Sequence, residues 1–84
     1  MNELLTARRV DCCTYLCGRL EKHVSNIRVV GYRIVLNKGS TVIRMDPRIL
    51  RVEQSGRTLK NIPYSDPDKW ESIADTIIRI VKEK

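Results

Sequence analysis

The chain has no phenylalanine, one histidine, one tryptophan and four scattered glycines among its 84 residues, and each scarcity removes a class of chemistry. His23 is the sole imidazole. On a helix rising about 1.5 Å per residue it would lie about 16 Å along the axis from Cys12, too far for a catalytic dyad or a shared metal. Gly18, Gly31, Gly39 and Gly56 are too far apart to build a phosphate-cradling loop. No carboxylates pair at an acid/base spacing. No apolar run approaches the roughly 20 residues that a bilayer crossing needs, and Asp11 interrupts the only early apolar stretch, so neither a membrane span nor a secretory signal is expected. These gaps argue against an enzyme, a bound cofactor and a small-molecule substrate.

What is present suits a small folded protein. Hydrophobic residues make up 42% and charged residues 31% of the chain, a globular balance, and the length admits one domain over residues 1–84. Sixteen Lys and Arg against ten Asp and Glu leave a net charge of +6, which attracts polyanions. Solubility alone accounts for a charge of this size equally well. Cys12, Cys13 and Cys17 fall within six positions. An odd count in one segment is not a secreted disulfide framework, so reduced thiols and a cytoplasmic location are expected. Sparse glutamine and abundant Ile, Arg and Glu lean towards a thermophile, and a viral source fits as well.

The periodicity predicts a helix from about Asn2 to Ser25, with Leu5, Cys12, Leu16, Leu20 and Val24 on one face and Asn26 as its stop. The β-branched run Ile27 to Leu36 then reads as one strand. Asn37-Lys38-Gly39 supplies a hairpin turn into Thr41 to Met45, and Pro47 interrupts the ladder before Ile49 to Gln54. Ser55-Gly56 is a second turn that returns the chain along Arg57 to Ile62. Ser65 or Asp66 caps a last helix with Pro67 in its first turn, whose inner face is Trp70, Ile73, Ala74, Ile77 and Val81. The expected fold is α+β: a helix, a three- or four-stranded antiparallel meander and a second helix, with both helices on one sheet face.

Two basic surfaces are candidates for binding. Arg8, Tyr15, Arg19 and Lys22 recur at helical spacing beside the apolar stripe of the first helix, where Asp11 offsets part of their charge. In the sheet, an even hairpin offset turns Val30, Tyr32, Ile34, Leu36, Thr41, Ile43 and Met45 towards the helices. Arg33 and Arg44, joined by Arg51, then point away, beside Val29, Val35 and Val42. Cys13 and Cys17 could offer two ligands, but tetrahedral zinc takes four, so no metal is expected and the thiols read as core packing.

The element order resembles that of double-stranded RNA-binding domains and of the Alu-binding proteins of the signal recognition particle. The first family places lysines at the start of its last helix, where this chain has Asp66-Pro67-Asp68-Lys69-Trp70, so its contacts do not transfer. The expected function is a basic accessory protein that binds RNA or DNA by sequence-independent electrostatic contacts. The alternative is a homodimeric interaction or adaptor module with no nucleic-acid ligand.

Overall fold

The structure, a computed structural model, describes residues 3–82, with side-chain surroundings from Arg8 onward. Helix α1 spans Glu3–Leu20, and five strands follow: β1 Ile27–Val30, β2 Arg33–Leu36, β3 Thr41–Met45, β4 Ile49–Gln54 and β5 Arg57–Pro63. Helix α2, Trp70–Lys82, closes the chain. The strands form one antiparallel sheet in the order β1-β2-β3-β4-β5. Among the described residues no helix is long and apolar enough to cross a membrane.

The α+β plan is as expected, with a fifth strand. The run Ile27 to Leu36 is not one strand but a hairpin folded at Gly31-Tyr32, with Val30 opposite Arg33. Gly31 takes a φ of 61° at the first central position and Tyr32 keeps a negative φ, the pattern of a II′ turn that glycine alone enters without strain. This fold-back corrects two expectations. Val30 lies beside Arg33 on the side away from the helices, and Val29, opposite Ile34, lies on the helix side.

The other turns form where their residues require. Ser55 and Gly56 both take positive φ, 52° and 79°, as a two-residue I′ turn demands. The Asn37–Gly39 turn holds three consecutive positive-φ residues. Two asparagines secure it: Asn37 Oδ1 accepts from the Ser25 amide at 2.8 Å, and Asn26 Oδ1 from the Lys38 amide at 2.8 Å. Helix α1 ends at Leu20, earlier than expected, and the His23 amide donates to Leu20 O at 2.9 Å in a tightened turn. That turn frees Asn26 for its role against the hairpin. The predicted inner residue Leu5 has its side chain outside the described set, as does Asn2.

Both helices cover one sheet face. Cys12, Leu16 and Leu20 of α1 and Ile73, Ala74 and Ile77 of α2 pack on Ile34, Leu36, Ile43, Met45, Leu50 and Val52, all buried. Tyr64, 1% exposed, fills the end of this core and donates its hydroxyl to the Asp46 carbonyl, tying the β3–β4 corner to the chain entering α2. Asp66 caps that entry by accepting from the Asp68 amide at 3.0 Å. The helices are joined by Tyr15 against Trp70, ring centroids 5.9 Å apart, and by Arg19 paired with Asp75 at 3.1 Å.

Truncating the centre of this core is expected to be costly: Ile43→Ala should lower unfolding free energy by about 2–5 kcal/mol, against about 1 kcal/mol for the cap variant Asp66→Ala. Urea denaturation of the two variants checks the ranking.

Candidate nucleic-acid interface

With Ile34, Ile43 and Val52 directed into the core, the period-2 alternation of a strand sends their neighbours to the opposite face. The register then aligns three arginines, because Arg33 is opposite Arg44 and Arg44 is opposite Arg51. Val30 on β1 and Asn61 on β5 extend this row at its two ends. The next row reads Arg28, Val35, Val42, Glu53 and Thr58. The face open to solvent thus interleaves cations with aliphatic side chains. Tyr32, half-exposed in the β1–β2 turn, brings an aromatic ring to one end of it, beside Arg33 and Arg44.

Like charges directly opposite on adjacent strands repel, and two carboxylates relieve part of that cost. Glu53 lies 3.7 Å from Arg44, and Asp46 lies 3.2 Å from Arg51. Arg44, Arg51 and Asp46 are well solvated and Glu53 partly so, so each pair contributes about 0–1 kcal/mol. Among the described residues Arg33 makes no ion pair. Two hollows flank the row and meet at Asp46-Pro47. One of about 700 Å³ lies beside Arg51 and Asn61, and one of about 270 Å³ lies between Arg33, Arg44 and Arg9.

The helix candidates lie elsewhere. Arg8 donates to the Ser65 carbonyl, and Arg19 donates to Tyr15 Oη at 3.1 Å and to Asp75 at 3.1 Å. Tyr15 packs against Trp70 with the rings tilted by 45°. These three therefore join α1 to α2 and its approach, in the helix layer across the sheet from the arginine row. Lys22 is exposed in the turn after α1.

Arg9 was not legible as a site residue. It is 8% exposed, its guanidinium lies 4.0 Å from the centre of the Tyr32 ring, and its Nε has no hydrogen-bond partner. A cation–π contact of this kind holds an arginine without a carboxylate. The signal was available, since Arg9 precedes Cys12, Leu16 and Leu20 by 3, 7 and 11 residues and so shares the core-facing stripe. It brings a third guanidinium to the hollow beside Arg33 and Arg44.

The cysteines are packing groups here. Burial pushes the Cys12 thiol up to about 12, with the neighbouring Cys13 adding to it, and burial likewise pushes Cys17 up to about 11 and raises Cys13. All three stay protonated at neutral pH, and a thiol is a poor nucleophile and metal ligand in that form. His23 is exposed in the turn beyond α1, away from the buried Cys12. Among the described residues no three His, Cys, Asp or Glu side chains gather as a metal-binding group. Comparison of the chain with protein-family models, with curated proteins and with solved structures finds no match.

The raised thiol pKa values set an alkaline limit to stability. The folded state holds these protons more tightly than the unfolded chain, whose thiols titrate near 9.0. Their contribution is therefore complete below about pH 9 and is lost as pH rises towards 11 and 12. Urea midpoints between pH 7 and 11 under reducing conditions should fall above about pH 9, and less steeply for Cys12→Ala than for the parent chain, relative to each protein's neutral value.

Proposed function

We propose that this is a small basic protein that binds the sugar–phosphate backbone of RNA or DNA, independently of sequence, through the open face of its sheet. The observation behind this reading is the alignment of Arg33, Arg44 and Arg51 on three adjacent strands. Strands about 4.8 Å apart make that row about 10 Å long, or about three axial steps of 3.4 Å along one nucleic-acid strand. Arginine forks onto phosphate with two parallel hydrogen bonds, and the intervening Val30, Val35 and Val42 exclude water around those contacts. The hollow that Arg9 shares with Arg33 and Arg44 gives one phosphate a deeper seat.

Backbone contact fits this face better than base stacking, because stacking platforms need exposed rings. Here Tyr15, Tyr64 and Trp70 are packed in the helix layer and core, and the half-exposed Tyr32 is covered on one side by the Arg9 guanidinium. Lys38 and Arg28, around a hollow at the other end of the face, prolong the positive field. Lys22, in the turn after α1, adds to the overall charge. The ion pairs to Glu53 and Asp46 hold two of the arginines extended along the face until a polyanion replaces the carboxylates. Three free thiols with raised pKa values fit a reducing compartment, which makes the cytoplasm the proposed location.

Fluorescence anisotropy with short duplex and single-stranded RNA and DNA tests the reading. Log affinity should fall against log salt with a slope of about −3 on duplex DNA, and each of Arg33→Gln, Arg44→Gln and Arg51→Gln should make that slope shallower by about 1. Arg44→Glu should weaken binding about equally for unrelated sequences. Absence of binding at low salt would sink the proposal.

A further inference from the structure

The sheet has one defended edge and one undefended edge. Strand β5 ends in Pro63, presents Arg57 and Lys60, and meets β4 through an irregularity between Val52 and Glu53, all features that deter pairing with another chain. Strand β1, Ile-Arg-Val-Val, has no proline and no bulge. Val10, Val29, Val30 and Tyr32, each 45–53% exposed, gather about it. Cys13 and Cys17 join Val10, Val29 and Tyr32 around a hollow of about 380 Å³ between α1 and β1. Apolar surface concentrated at an open edge marks an association site.

The backbone at this edge has a defined polarity. The Asn37 amide donates to Asn26 O at 3.1 Å, and the Met45 amide donates to Tyr32 O at 2.8 Å. The alternation of an antiparallel ladder then aims the N–H and C=O groups of Arg28 and Val30 at β2 and those of Ile27 and Val29 away from the sheet. Among the described residues nothing pairs with those outward groups.

We infer that a second copy of this chain adds its own β1 to this edge, antiparallel, about a twofold axis at Val29. Opposed residues must share a sheet face and present outward backbone groups together, so the axis falls on a single residue. At Arg28 it would set two arginines against each other. At Val29 it opposes Val29 to its twin, Arg28 to the second copy's Val30, and Ile27 to the second copy's Gly31, and no like charges meet. The strand is self-complementary in this register, which is why the occupant is a copy of the chain. The two Val29 side chains and the flanks of α1 carrying Val10, Cys13 and Cys17 then form one apolar strip on the helix side. On the open side the second copy's Arg28 falls in line with Val30, Arg33, Arg44 and Arg51. Use of that longer row by a polyanion rests on the function proposed above, whereas the interface does not.

Light scattering after size exclusion, without nucleic acid, should give twice the 9.7 kDa chain mass, falling to one chain on dilution. Val29 is half exposed in one copy, so Val29→Lys should fold yet elute as a monomer. In the unmodified protein, exchange of the Ile27 and Val29 amides followed by NMR should slow as concentration rises through about a hundredfold range, as mass action requires. A protein monomeric at every concentration would overturn the inference. So would a dimer whose Ile27 and Val29 amides exchange at a concentration-independent rate, and that measurement decides the matter even if the lysine variant fails to fold. Because no polyanion is present, loss of nucleic-acid binding and loss of the dimer are read separately.

Discussion

Burial of the cross-strand row Ile34, Ile43 and Val52 beneath two helices is the constraint on which the rest of the molecule depends. Each residue is inaccessible to solvent, and the three lie opposite one another on β2, β3 and β4. A slip of one residue in any of these strands would carry its apolar set to water and draw an arginine into the core, so burial fixes the register. The alignment of Arg33, Arg44 and Arg51 follows from it. The strain of three adjacent cations is tolerated because the apolar row behind them cannot move.

The helix layer has its own division of labour. Cys12, Leu16 and Leu20 point down into the sheet, while Arg8, Tyr15 and Arg19 reach sideways to Ser65, Trp70 and Asp75. Tyr15, Tyr64 and Trp70 serve this layer, with Trp70 Nε1 donating to Tyr64 O at 2.7 Å and Tyr64 Oη bonded to the Asp46 carbonyl. Rings used in this way are not offered to a ligand, which leaves guanidinium groups and aliphatic side chains on the open face, with Tyr32 at its end against Arg9. The concave corner at Asp46-Pro47, where both flanking hollows meet, is held from behind by the Tyr64 bond.

Most of the element order was legible in local chemistry. Ser55-Gly56, the Asn37–Gly39 turn, and Asp66 with Pro67 form turns and a cap where expected, with Lys38 and Ser55 carried into positive φ by the turns around them. The β1–β2 hairpin was hidden because Gly31-Tyr32 sits in a run of β-branched residues whose composition reads as unbroken strand. That one missed turn moved Val30 to the open face, Val29 to the helix side and Arg28 into the basic surface. The basic stripe of α1 has the spacing of a solvated ridge, and a periodicity cannot tell solvent from a second helix. Arg9 is not legible in the sequence because an arginine on a core-facing stripe is costly unless an aromatic ring receives it, and Tyr32 is 23 positions away in the chain.

The amino-acid sequence alone determined the basic α+β plan with an apolar sheet face, arginines on the alternate positions and capped ends, because each of these is a consequence of residue type and spacing over a few positions. Tertiary structure alone decided which cations stand together and which are spent joining helices. It also decided which strand edge lies open, and which thiols are pushed out of reach of ionisation. Those outcomes depend on distances between segments far apart in the chain, set by strand register and helix packing.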